Sequence, residues 1–86
     1  MPEISRFYGI VIKMYFNDHL PPHFHAAYGA QEALLNIDSL ALIAGRLPPR
    51  AIGMVMEWAS SHQMELREAW KRAKNLQQPG KIDPLP

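Results

Sequence analysis

The tripeptide Leu47-Pro48-Pro49 divides the chain into halves that obey different periodicities. Consecutive prolines cannot continue a strand ladder, yet they preset the first turn of a helix, where the missing N–H is not needed. Before this point apolar and polar residues alternate as in half-buried strands; after it apolar residues recur at helical spacing. Such a chain is restricted to strands first and helices second, an α+β architecture.

In the first half, Gly9 to Phe16 is rich in β-branched and aromatic residues and reads as a strand, with Ile10, Ile12, Met14 and Phe16 on one face and Val11, Lys13 and Tyr15 on the other. Asn17 to Pro22 is a loop. His23 to Tyr28 forms a second strand, Glu32 to Ile37 a third, and Leu40 to Ala44 a fourth after a turn near Asp38-Ser39. A two-residue Gly29-Ala30 hairpin loop pairs Tyr28 with Gln31, Ala26 with Ala33, Phe24 with Leu35, His25 with Leu34 and His23 with Asn36. The expectation is an antiparallel meander of three to four strands.

In the second half, Ile52, Ala59, Leu66 and Ala73 repeat at seven residues, with Val55, His62, Ala69 and Leu76 between them. This stripe predicts one bent helix or two consecutive helices, packed on one face of the sheet. Ser60-Ser61-His62-Gln63 is the place for a break, and Ser60 with Gln63 has capping-box spacing. Trp58 and Trp70 flank the stripe and are expected to be partly buried. A single domain over residues 1–76 follows, with strands over about 4–45, the helical part over about 48–76, and a tail over 77–86.

Composition narrows the function classes. At 86 residues, 48% hydrophobic and 20% charged, the chain has the make-up of an ordinary globular domain. It has no cysteine, which excludes disulfides and thiolate metal sites. No apolar run approaches the roughly 20 residues needed to cross a bilayer, and the start MPEISRFYG lacks the basic character of a leader, so a cytoplasmic protein is expected. The net charge of +1 is far from that of a strongly basic nucleic-acid binder, although Arg67, Lys71, Arg72 and Lys74 gather near the C-terminal end of the helical half.

The stretch 18-DHLPPHFHAAYG-29 holds three of the four histidines. With the registers above, Lys13, Tyr15, His23, His25 and Asn36 share one sheet face, with Lys13 beside His25 or shifted by two residues. This concentration of titratable groups is the candidate site. Three uses of it remain open. The imidazoles of His23 and His25 divide general-base and general-acid roles on a phosphodiester, without a cofactor, because a group titrating near neutrality serves both. Alternatively, the His23-x-His25 pair binds a divalent metal, with a third ligand from His19, Asp18 or His62. In the third use the rings bind a partner chain or nucleotide without chemistry. His62, on the helical stripe, reads as a core residue rather than a ligand.

The tract ISRFYGIVIKMYFNDHLPPHFHAAYG, with Leu47-Pro48 and Glu57-Trp58-Ala59, resembles the bacterial domain of unknown function 4160 family, the likeness running from Met1 to about Leu76. Pro21-Pro22-His23-Phe24-His25-Ala26 with Tyr28-Gly29 is its most specific part, and Arg6, Tyr8 and Asp18 also match. The resemblance implies a context: members are often encoded beside a second small protein of the domain of unknown function 2442 type, in a toxin–antitoxin-like arrangement, with this chain as the toxin. It brings no catalytic residues with it.

Together these readings lead to the expectation of a toxin component of a type II toxin–antitoxin module with a ribonuclease-like activity. His23 and His25 are its catalytic groups, Lys13, Tyr15 and Arg6 assist, and Asp18, His19, Asn36 and Tyr8 bind. The expected partners are a small cognate antitoxin-like protein and RNA, and self-association is expected because a small sheet leaves open edges. A non-catalytic interaction module is the second expectation, and a metal-dependent hydrolase the third. Relative to the family pattern, Ser39 to Ile43 is unusually apolar, which suggests an interface along the fourth strand.

Overall fold

The computed structural model describes residues 3–86 and contains an antiparallel sheet of five strands in the order β1-β2-β3-β4-β5. These are β1 (Glu3–Phe7), β2 (Ile10–Lys13), β3 (His23–Tyr28), β4 (Gln31–Asn36) and β5 (Leu42–Gly45), followed by helices α1 (Pro49–Ser61) and α2 (Gln63–Lys74). The fold is therefore α+β, a meander and then two helices, with one strand more than expected.

The additional strand is β1. It pairs antiparallel with β2 through a two-residue turn in which both Tyr8 and Gly9 have positive φ, the conformation that matches the twist of a hairpin. The register slips between Glu3 and Ser5, and Ile4 and Ser5 are both buried. A bulge of this kind erases the alternation by which a strand is read from sequence. Strand β2 in turn ends at Lys13; Met14 to Phe16 belong to the loop, and Asn17 takes a positive φ.

The β3–β4 hairpin has the expected register at every pair, from Tyr28 opposite Gln31 to His23 opposite Asn36. Lys13 lies opposite His25, the first of the two registers anticipated for the preceding strand. The turn into β5 is held by Asn36, whose Oδ1 accepts from the N–H groups of Asp38 and Ser39. At the far end of β5, Gly45 has a φ of +74°, and a Cβ there would collide with the Glu32 carbonyl. No other residue fits so close an approach of backbones.

The helical stripe breaks at His62, which lies between α1 and α2 with φ −129°. The capping box expected from Ser60 and Gln63 does not form. Ser60 lies inside α1, so its hydroxyl donates back to the Glu57 carbonyl, while the Gln63 amide donates to the carbonyls of Ile37 and Asp38. These last bonds pin the start of α2 to the end of β4.

Ile4, Ile10, Ile12, Met14, Phe24, Ala26, Ala33 and Leu35 meet Val55, Trp58, Ala59, Leu66, Ala69 and Ala73 in one core. Trp58 is buried completely rather than partly, against Phe7 and Phe24 with ring centroids 5.5 and 6.0 Å away. Residues 77–86 contain no helix or strand but close the edge of the core. Ile82 is buried and its N–H donates to the Ile4 carbonyl, and the Asp83 carbonyl accepts from Trp58 Nε1. The β1 edge is thereby covered, whereas all four residues of the opposite edge strand, β5, are exposed.

Candidate functional site

The site forms where the loop from Met14 to Pro22 folds back over the end of the sheet. Two contacts with α2 fix the loop: the Asn17 N–H donates to the Ala73 carbonyl and Lys74 Nζ to the Asp18 carbonyl. The first of these occupies a carbonyl in the last turn of the helix, where intrahelical partners are missing. As a consequence the Asp18 side chain is carried under the two histidines of β3.

Asp18 Oδ2 lies 3.0 Å from His23 Nε2 and 3.4 Å from His25 Nε2. Its other oxygen accepts the His19 N–H. The opposite ring nitrogens are also engaged: His23 Nδ1 donates to the Pro21 carbonyl at 2.7 Å, and His25 Nδ1 donates to Glu32 Oε2 at 2.9 Å. A carbonyl only accepts, so the hydrogen on His23 Nδ1 follows from the geometry. Burial pushes the Asp18 carboxyl up, but the His19 N–H, His25 and His23 together outweigh it and hold the group below its ordinary value.

Aromatic rings hold the imidazoles in place. Tyr15 packs edge-on against His25 with centroids 4.4 Å apart, and Trp70 of α2 lies 5.3 Å from His23. Lys13 Nζ, across the sheet, is 3.8 Å from Glu32 Oε1. His23 is buried with only 6% of its surface exposed, and His25 is partly buried. The result is a fixed polar cluster at a sheet end that still reaches solvent through Glu32 and the loop.

The structure thus brings together His23, His25, Lys13, Tyr15 and Asp18 from among the expected residues. The others lie apart. Arg6 is on β1, ion-paired with Glu3 at 2.7 Å. Tyr8 occupies the β1–β2 turn, its hydroxyl donating to the Pro86 carbonyl. His19 contributes its backbone N–H while its side chain is exposed. Asn36 is opposite His23 as anticipated, but its side-chain oxygen serves the turn after β4. His62 lies at the helix junction, paired with Glu65 and packed against Trp58.

Sequence reasoning missed Glu32, the Pro21 carbonyl and Trp70. Glu32 was accessible in principle: with His25 opposite Leu34, residue 32 projects from the same face one diagonal step away. The basic residues of α2 are engaged within the chain. Arg67 pairs with Asp38, Lys71 with Glu68, Arg72 donates to the Pro79 carbonyl, and Lys74 serves the loop.

One observation limits what the cluster does directly. Both Nε2 atoms point at one carboxylate oxygen, so an imidazole acting on a substrate alone would have to turn away from Asp18. No helix among the described residues is long and apolar enough to cross a membrane.

No curated protein and no solved structure matches the chain significantly. A family model described as "Domain of unknown function (DUF4160)" matches residues 9–71, a span that contains the loop, both histidines, Glu32 and Trp70. The chain belongs to the DUF4160 family.

Proposed function

We propose that the chain is the toxin of a two-protein bacterial module and acts in the cytoplasm by cleaving RNA at the face formed by His23 and His25. The observation that carries this reading is the convergence of Asp18, His23 and His25 beside Lys13 and Tyr15, on a loop and strand held rigid from two sides. Buried or half-buried imidazoles joined to a shared carboxylate are costly to assemble, and titratable groups clustered in this way are characteristic of functional sites. Lys13 supplies the positive charge that a phosphodiester requires, and the Tyr15 ring offers a face on which a base stacks. The two-protein context comes from the family resemblance of the His23–His25 tract.

Expression in a bacterial host, alone and with the neighbouring protein, tests the reading. The expected result is growth arrest with loss of intact RNA, relieved by the neighbour and by a His23→Ala/His25→Ala variant that circular dichroism shows to be folded. Absence of arrest at high soluble expression overturns it.

A second reading, a non-catalytic module that regulates by binding, is favoured by β5. Its four residues are exposed, Leu42 and Ile43 among them, and it pairs on one side only, which suits capture of a strand from a second chain or the cognate partner. In that case Leu42→Lys/Ile43→Lys abolishes complex formation on gel filtration, and the histidine variant leaves it intact.

A further inference from the structure

His23 and His25 share one arrangement. Each Nδ1 donates to a fixed acceptor, the Pro21 carbonyl for His23 and Glu32 Oε2 for His25, and each Nε2 faces Asp18 Oδ2. In a neutral ring with its hydrogen on Nδ1, Nε2 carries a lone pair. Two lone pairs then face one carboxylate oxygen at hydrogen-bond distance, which is repulsive unless a cation enters among the three atoms or each Nε2 carries a proton. The three donor atoms all lie within 4.8 Å of one another.

The spacing is compatible with a metal ion. Ligand bonds of about 2.0–2.1 Å at tetrahedral or octahedral angles put neighbouring donor atoms roughly 3.0–3.4 Å apart, and the Asp18 oxygen is 3.0 and 3.4 Å from the two nitrogens. The outer contacts are those that metal-bound histidines make, with the second ring nitrogen donating to a carboxylate or a backbone carbonyl that fixes tautomer and orientation. The His19 N–H, Lys74 and the Tyr15 and Trp70 rings hold the three side chains beside one another.

The geometry points to a mononuclear site for a divalent first-row transition metal, with His23 Nε2, His25 Nε2 and Asp18 Oδ2 as ligands and Glu32 and the Pro21 carbonyl as their supports. Two imidazoles and one carboxylate suit zinc, iron, cobalt or nickel rather than calcium or magnesium, which take oxygen ligands. Three protein ligands leave at least one position for an outside oxygen atom, from water or from a substrate. The inference deepens the function proposed above and rests on the same cluster being the functional one. It removes the need for an imidazole to leave Asp18, since all three groups act together on one ion.

Untagged full-length protein, stripped with chelator and desalted, is titrated with Zn²⁺ by calorimetry and with Co²⁺ by visible absorption. The expected result is one equivalent of Zn²⁺ and cobalt ligand-field bands. Asp18→Asn and His25→Ala each weaken Zn²⁺ binding by at least 100-fold, and Glu32→Gln, at an exposed support, weakens it by about 10- to 100-fold. His62→Ala leaves it unchanged. Less than a tenth of an equivalent bound by folded wild-type protein overturns the inference, and so does binding that survives both ligand substitutions. Because Glu32→Gln touches no core contact, its affinity reports on the site even if the ligand variants unfold. Growth arrest by a protein that binds no metal sinks the metal site and spares the toxin reading. Stoichiometric binding without arrest does the reverse.

Discussion

Among the described residues two histidine–carboxylate contacts lie beside tryptophan, and they have different consequences. At the helix junction, His62 pairs with Glu65 three residues on, and its ring packs against Trp58 with centroids 5.5 Å apart. At the end of the sheet, His23 meets Asp18 and packs against Trp70 at 5.3 Å. The ingredients are the same, but the first contact is local to one helical turn and the second joins a strand, a loop and a helix. Only the second collects a further imidazole and a further carboxylate, His25 and Glu32. Residue type marks where a titratable group lies, whereas convergence of donors depends on which distant segments the fold brings together.

The largest expected effect that separates the two regions is stabilisation by metal. At Zn²⁺ concentrations 100-fold above its dissociation constant, unfolding should become harder by about 2.7 kcal/mol. His62→Ala should keep this gain and His25→Ala should lose it, as read from urea denaturation with and without metal. Equal gains in both variants would erase the distinction between the regions.

The next effect concerns the metal-free protein. His23→Ala removes a buried ring, leaves the Pro21 carbonyl without its partner and leaves Asp18 Oδ2 with His25 alone, so a loss of about 1–3 kcal/mol is expected in chemical denaturation. A neutral result would mean that water replaces the ring at no cost and that the cluster is less fixed than its geometry indicates.

A third prediction is in pH. The Asp18 carboxyl is held below its ordinary value of 3.8 in the folded chain. Its contribution to stability is therefore present above that value and lost as pH falls through the depressed one. Wild-type protein should exceed Asp18→Asn in stability at neutral pH, and the two should converge only as pH falls below that depressed value. The smallest effect is expected at the helix junction, where His62→Ala should cost less than about 1 kcal/mol because its partner Glu65 is exposed. A larger loss would make the junction a structural keystone.

The parts of this molecule set by local rules were legible in the sequence. The β3–β4 register could be counted residue by residue from the Gly29-Ala30 loop, and the double proline marked the start of α1. Strand β1 was missed because a bulge buries Ile4 and Ser5 together and because the turn uses Tyr8 at positive φ, a position usually given to Asn or Gly. The site was half legible. Lys13, His23 and His25 fall on one face by alternation alone. Asp18 was one of several candidates for a third ligand, since its position depends on loop contacts with Ala73 and Lys74, which lie more than fifty residues away in sequence. Asn36 was over-read for a related reason: its facing was right, but the turn after β4 takes its side chain.

The most direct test of the central claim is a nitrogen-resolved NMR spectrum of the histidine rings during a Zn²⁺ titration. At one equivalent, the Nε2 resonances of His23 and His25 should shift together while their Nδ1 atoms keep their hydrogens and His62 stays unchanged. Loss of the Nδ1 hydrogens, a shift of His62 alone, or no change in any ring would contradict the account.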